Sequence, residues 1–161
     1  ALQVHQHDFV PKLVGRMARL GYPGSRLELE LTEGVVMEGA TPVRRCFEQL
    51  RTLGVKISID DFGTGYSNLG YLSRFPLDVL KIDRSFVTNI HQQQDNQQIV
   101  RAIVQLARSL SLPLVAEGVE TEQELAFVED LGVEVVQGYY FSRPLPADEL
   151  QQYLGLACVV A

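Results

Sequence analysis

Apolar residues recur at Phe9, Leu13, Val14, Met17 and Leu20, the spacing that lays one helix face on a core. Asp8 stands at the N-cap position and Gly21 follows the last periodic residue, so a helix over 8–20 is expected. The period then drops to two. Leu27-Glu-Leu-Glu30-Leu-Thr-Glu33 alternates leucine with glutamate or threonine, as a strand with two unlike faces does. Thr41 and Pro42 open a helix over 42–53 that Gly54 ends. Val55, Ile57 and Ile59 then alternate with Lys56 and Ser58 in a strand that runs into Asp60-Asp61-Phe-Gly63-Thr-Gly65.

The scheme repeats. A short helical piece over 68–75 stops at Pro76, and a strand over 77–83 carries Lys81 and Asp83 at its far end. The glutamine-rich stretch 89–98 reads as a solvated loop leading into a helix capped by Asp95, with Ile99, Val100, Ile103, Val104, Leu106 and Ala107 on its apolar face to residue 110. A strand over 113–120 ends in Glu117, Gly118 and Glu120. A helix over 122–131 stops at Gly132, a last strand over 133–138 carries Gln137, and a helix over 147–154 follows. Strands alternating with helices predict an α/β protein with a parallel sheet. Polar groups at every strand end favour a (β/α) TIM-type barrel, here a partial barrel of about five β/α units, over a doubly wound sheet with one switch point.

Composition narrows the function. The 161 residues are 46% hydrophobic, enough for one sizeable core, and carry a formal net charge of -6. An acidic chain lacks the basic surface that grips a nucleic-acid polymer or an anionic membrane, although a small phosphate ligand held through cations stays open. Cys46 falls in a helix pattern and Cys158 in the tail, in no metal or redox spacing, which fits a reducing compartment. No secretory or membrane-spanning run is present, so direct membrane insertion is not expected and a cytoplasmic location is; an anchor elsewhere in a longer protein is compatible with this. His5, His7 and His91 lie in polar surroundings, away from the strand-end groups.

The chemistry sits at the strand ends: Glu30 and Glu33, Asp60 and Asp61, Lys81 and Asp83, Glu117 and Glu120, and Gln137. Taken alone, the Asp-Asp pair before two glycines is also what a solvated turn and flexible loop look like. Gathered on one face, however, so many carboxylates repel or protonate unless cations relieve them. Hard divalent ions such as Mg²⁺ or Mn²⁺ suit oxygen ligands, and with a nearby lysine they equip a site for phosphoryl or phosphodiester chemistry. No serine–histidine or cysteine–histidine pairing, dinucleotide fingerprint or P-loop competes with that reading.

Five motifs, Leu-Glu-Leu-Thr-Glu (29–33), Asp-Asp-Phe-Gly-Thr-Gly-Tyr-Ser (60–67), Leu-Lys-Ile-Asp (80–83), Val-Ala-Glu-Gly-Val-Glu (115–120) and Gln-Gly-Tyr-Tyr-Phe-Ser-Arg-Pro (137–144), resemble in order and spacing the EAL domain family of bacterial cyclic di-GMP phosphodiesterases. The resemblance implies that Glu30, Asp60, Asp61, Asp83 and Glu117 serve metal ions, two Mg²⁺ or Mn²⁺ in a complete site. It implies that Lys81 orients the attacking water and that Glu117 is also a general base. Glu120 and Gln137 would support water and substrate, and Glu33 would anchor the loop from Asp61 to Ser67, which in the family couples dimerisation to activity.

The family's Glu-Ala-Leu strand and the asparagine on the next one are not matched, so the whole chain, 1–161, resembles the C-terminal two-thirds of that domain. A full barrel takes eight strands and roughly 250 residues. Unpaired outer strands favour association, so self-association, a homodimer among the options, is expected, with low affinity for metal and low turnover where two ligands are missing. A non-catalytic receptor for cyclic di-GMP is the alternative from another class, and a metal-dependent barrel of unrelated chemistry a third.

Overall fold

In the computed structural model the described residues are 4, 6, 8–37, 41–65, 72 and 75–155, with the side chains of 36, 37, 41 and 42 excepted. His5, His7, Ser67, Cys158 and most of the 68–75 piece lie outside them. Five strands form one sheet: β1 (Glu28–Thr32), β2 (Lys56–Phe62), β3 (Val79–Ile82), β4 (Leu114–Glu117) and β5 (Val135–Gln137). Every neighbouring pair is parallel, and the order in the sheet is the order in the chain. Such an order has no reversal and hence no single switch point, which is the barrel arrangement rather than the doubly wound one.

The helices whose bounds lie within the described residues are α1 (Phe9–Leu20), α2 (Glu33–Met37), α3 (Thr41–Thr52), α4 (Arg84–Val87), α5 (Gln94–Leu110), α6 (Glu122–Asp130) and α7 (Ala147–Tyr153). Crossovers between adjacent parallel strands are right-handed, so a sheet in sequential order collects its crossover helices on one face. The register shows which side chains share that face. Leu29 and Leu31 stand beside Ile57 and Ile59, Ile59 beside Leu80, Ile82 beside Ala116, and Ala116 beside Val136. Ile57, Ile59, Leu80, Ile82 and Ala116 are fully buried and share one cluster with Phe47 and Leu50 of α3 and Val100 and Val104 of α5. Each large side chain in that layer contributes about 1.5–3 kcal/mol of transfer free energy.

Alternation sends the other strand residues to the second face: Glu28, Glu30 and Thr32, then Lys56, Ser58 and Asp60, Val79 and Lys81, Val115 and Glu117, and Val135 and Gln137. This face carries the polar groups and is apolar only at its three valines.

The local expectations need several corrections. The Asp8 carboxylate makes no cap bond to α1 and pairs with Lys12 at 2.6 Å. Val14 and Leu20, placed on the apolar face by spacing, are exposed. Glu33 is not a strand residue: β1 ends at Thr32, and Glu33 begins α2 with its side chain buried. Asp95 lies inside the first turn of α5, whose N-cap is Gln93. The last strand is only Val135–Gln137: the turn out of α6 takes Leu131 and Gly132, and the Val133 amide still donates back to the Val128 carbonyl at 3.1 Å instead of entering the sheet. Among the described residues no helix is long and apolar enough to cross a membrane.

Candidate active site

Lys81, in the middle of β3, is the centre of the second face. Alternation turns its side chain away from the core while the flanking Leu80 and Ile82 are fully buried in it, and Lys81 itself is only 4% exposed. Its ammonium meets carboxylates from three other strands: Glu30 on β1 at 2.8 Å, Asp60 on β2 at 3.5 Å, and Glu117 on β4. Burial alone would favour the neutral amine. The hydrogen bonds to Glu117 and Glu30, with Asp60 behind, outweigh it and hold the lysine protonated well above the ordinary range. Glu117 is shifted upward too, which for a carboxyl favours the neutral form. Its burial, with Asp60 and Glu30 nearby, raises its carboxyl pKa although Lys81 opposes the shift.

Asp60 and Asp61 are sequence neighbours, and on a regular strand they would face opposite ways. The pairing of β2 with β3 shows how both reach the site side. Ile59 stands beside Leu80 but Phe62 beside Ile82, so β2 holds one residue more than β3 over that span. This is a β-bulge, and Asp61 takes a left-handed φ of 54° within it, a conformation aspartate tolerates better than most residues. Asp61 then lies close enough to Asp83 for the two carboxyls to influence each other's ionisation. Burial, Asp60 and Asp83 together raise the Asp61 pKa, whereas hydrogen bonds from Ser85 overcome the burial of Asp83 and lower its own. The two shifts run in opposite directions, so of the pair Asp83 is the stronger acid. Asp83 is also the N-cap of α4, its Oδ1 accepting from the Ser85 amide at 3.0 Å and from the Ser85 hydroxyl.

The strand ends open into two clefts. One, of about 770 Å³, runs along the second face past Glu30, Lys81 and Val135 to Tyr139 and Arg143. The other, of about 260 Å³, holds Asp61, Asp83, Arg84, Glu117 and Glu120. Gln137, beside Glu117 in the register, borders both. The Glu120 side chain is exposed, and its backbone amide is bound by Glu124 at 2.8 Å. Buried Glu33 accepts the Gly63 amide at 2.9 Å and thereby pins the start of the loop that follows β2.

All the residues singled out in the sequence thus gather at one end of the sheet, with Glu33 beneath the loop. Two features escaped the sequence reading. The bulge has no local signature beyond the Asp-Asp pair. The Thr121-x-x-Glu124 capping box at the start of α6 does have a local pattern, a threonine followed three residues later by a glutamate.

The donor set fits a divalent cation in its chemistry. All candidate ligands are carboxylates, the oxygen donors that Mg²⁺ and Mn²⁺ take. Among the described residues Asp60 Oδ1 is buried without a hydrogen bond, its ion pair to Lys81 being long at 3.5 Å, and the neighbouring Asp60, Asp61 and Asp83 carboxyls repel one another unless a cation or a proton relieves them. Among the described residues no three such side chains already converge as a cation cage, because Lys81 draws Glu30, Asp60 and Glu117 to itself.

The chain belongs to the EAL domain family, whose model matches residues 1–144. Among curated proteins it is 50% identical over 138 residues to the cyclic di-GMP phosphodiesterase NbdA of Pseudomonas aeruginosa, a match that covers 86% of this chain and 18% of that protein. Among solved structures it superposes with a TM-score of 0.88 and 45% identity on the PaMucR phosphodiesterase in complex with c-di-GMP, covering 92% of this chain and 60% of that one. BlrP1 of Klebsiella pneumoniae, in a manganese and cyclic di-GMP complex, matches with a TM-score of 0.80 and 37% identity over 88% of this chain and 36% of its own. The chain therefore spans about a fifth of the length of its curated relatives, and 60% and 36% of these two solved chains.

Proposed function

We propose that this chain supplies the strand-end half of a site that hydrolyses one phosphodiester bond of cyclic di-GMP to give linear pGpG. The observation that carries the reading is the buried Lys81 ammonium ringed by Glu30, Asp60 and Glu117 beside the Asp61–Asp83 pair, in a member of the EAL family.

In this reading Glu30, Asp60, Asp61, Asp83 and Glu117 hold Mg²⁺ or Mn²⁺, two ions in a complete site. The bound ions lower the pKa of water and offset phosphate charge. Lys81, whose ammonium form the surrounding carboxylates favour, serves as a donor that orients the attacking oxygen rather than as the base. Glu117, its pKa raised by burial, is the better matched group to take the proton of that water. Gln137 and Glu120 border the substrate side, and Glu33 holds the loop after β2 in place. Water adds to phosphorus, the P–O3′ bond breaks, and the 3′ oxygen leaves with a proton. Self-association through β1 and β5, each with one neighbour among the described strands, and a cytoplasmic location belong to the same proposal.

A second reading, a receptor that binds cyclic di-GMP without cleaving it, is favoured by one observation: Lys81 already engages three of the carboxylates a metal would need. Hydrolysis of cyclic di-GMP in Mn²⁺, after EDTA, and by Glu117→Gln separates the two. The enzyme reading expects turnover that EDTA abolishes and fresh Mn²⁺ restores, with kcat down about 10²–10⁴-fold in Glu117→Gln. Binding without cleavage by the wild type would establish the receptor.

A further inference from the structure

Glu124 lies on α6, outside both clefts, yet only 2% of it is exposed. Its carboxylate accepts three backbone amides. Oε2 takes Glu120 at 2.8 Å and Thr121 at 3.0 Å, and Oε1 takes Asn89 at 2.7 Å. A capping box explains only part of this: Thr121 Oγ1 accepts the Glu124 amide at 3.3 Å, and Glu124 accepts the Thr121 amide in return. The bond from Asn89 spans 35 residues and has no capping role. Asn89 sits just past α4, the helix that Asp83 caps, in a left-handed conformation with φ 53°.

One buried carboxylate therefore ties the connection after β3 to the connection after β4. The surrounding backbone leaves little play. A Cβ at Gly118 (φ 69°) would overlap the Cβ of Arg84, so the segment after Glu117 rests directly on the residue after Asp83. The Val119 amide donates to the Gln137 carbonyl at 3.2 Å, and the Tyr140 amide donates to the Val119 carbonyl at 3.0 Å. A Cβ at Gly138 would overlap the Val119 backbone. The loops that carry Asp83, Glu117 with Glu120, and Gln137 thus form one interlocked layer, and Glu124 is its buried polar anchor.

We propose that Glu124 is a positioning residue for the phosphodiester site, setting the carboxylates that follow β4 at the right distance from those that follow β3. The proposal rests on the functional reading above. Loss of the anchor lets the segment 117–120 drift relative to Asp83, which weakens the cation site and turnover together, whereas ligand contacts along the larger cleft are unchanged.

The test uses the full-length protein and three variants. Glu124→Ala removes all three acceptor bonds. Glu124→Gln keeps one acceptor oxygen but turns an amide donor toward a backbone donor. Arg108→Met removes the guanidinium bond to the Leu131 carbonyl beyond the other end of α6, and so loosens the same helix without touching the anchor. Mn²⁺ affinity is read by titration calorimetry, kcat and KM with cyclic di-GMP, and folding by circular dichroism. The expected result is an Mn²⁺ Kd about 10-fold higher and a kcat about 10-fold lower in Glu124→Ala, with KM within about twofold. Glu124→Gln falls between it and the wild type, and Arg108→Met matches the wild type in both.

Folded Glu124→Ala with wild-type Mn²⁺ affinity and kcat overturns the proposal, as does an equal loss in Arg108→Met, which would mean that helix stability alone is at stake. If Glu124→Ala does not fold, Glu124→Gln decides by the same criteria. A wild type that binds Mn²⁺ but cleaves nothing sinks the functional reading and leaves the Mn²⁺ comparison to judge the positioning. A wild type that binds no Mn²⁺ overturns both.

Discussion

Replacing Lys81 by methionine keeps the stem of the side chain and deletes the one cation among three carboxylates. Removing one partner of a buried ion pair costs about 3–5 kcal/mol, because the other is left charged and unpaired. Exposure reduces that figure here. The Glu30 side chain is 53% exposed and recovers solvation, whereas Asp60 and Glu117 are at 26% and 18%. A loss of about 2–4 kcal/mol is the expected result at pH 8, a large fraction of the 5–15 kcal/mol that holds a typical domain together.

The sign of the pH dependence follows from Glu117. Its folded pKa is already raised by burial and by Asp60 and Glu30, and without Lys81 the opposing influence is gone. A carboxyl with a raised folded pKa binds more protons folded than unfolded, so stability increases as pH falls toward its unfolded value. The variant should therefore recover part of its deficit between pH 8 and pH 5.5, and Mn²⁺ should stabilise it more than it stabilises the wild type. Urea denaturation of both proteins at the two pH values, with and without Mn²⁺, makes the measurement. A deficit under about 1 kcal/mol at pH 8, or one that grows on acidification, would refute the picture of Lys81 as the charge balance of the site.

Two further outcomes bear on the same layer. Gly118→Ala forces both a left-handed alanine and a clash with Arg84, and should cost about 1–3 kcal/mol. Gly21→Ala, with a similar φ and nothing within 4 Å, isolates the strain alone, so equal losses in thermal melting would deny the close approach. For Glu124, burial would raise the pKa, but the amides of Asn89, Glu120 and Thr121 prevail and lower it. A lowered carboxylate contributes stability that is full above the unfolded value of 4.5 and lost as pH falls through the folded one. The wild type should accordingly lose more stability below pH 4.5 than Glu124→Gln does, and parallel acid limbs would count against the three amide bonds.

Much of this protein is written locally in its chain. The alternation of Leu29 and Leu31 with Glu28 and Glu30, and of Ile57 and Ile59 with Lys56 and Ser58, determines which strand face is apolar, because successive side chains on a strand point to opposite sides. The repeated order of strand, polar strand end and helix determines a parallel α/β sheet, and the motifs around Glu30, Asp60, Lys81, Glu117 and Gln137 identify the family. Other features depend on registers between strands, which no single segment specifies. Lys81 sits in a four-residue strand, and nothing near it in sequence says that Glu30 and Glu117, 51 and 36 positions away, will meet its ammonium. The bulge that turns Asp61 toward Asp83 exists only because β2 holds one residue more than β3 between paired positions. Glu124 reads locally as a helix cap; that it also clasps Asn89 is decided by the packing of α6 against the connection after β3. Periodicity is a property of neighbours along the chain, and convergence of charge on one lysine is a property of neighbours across the sheet.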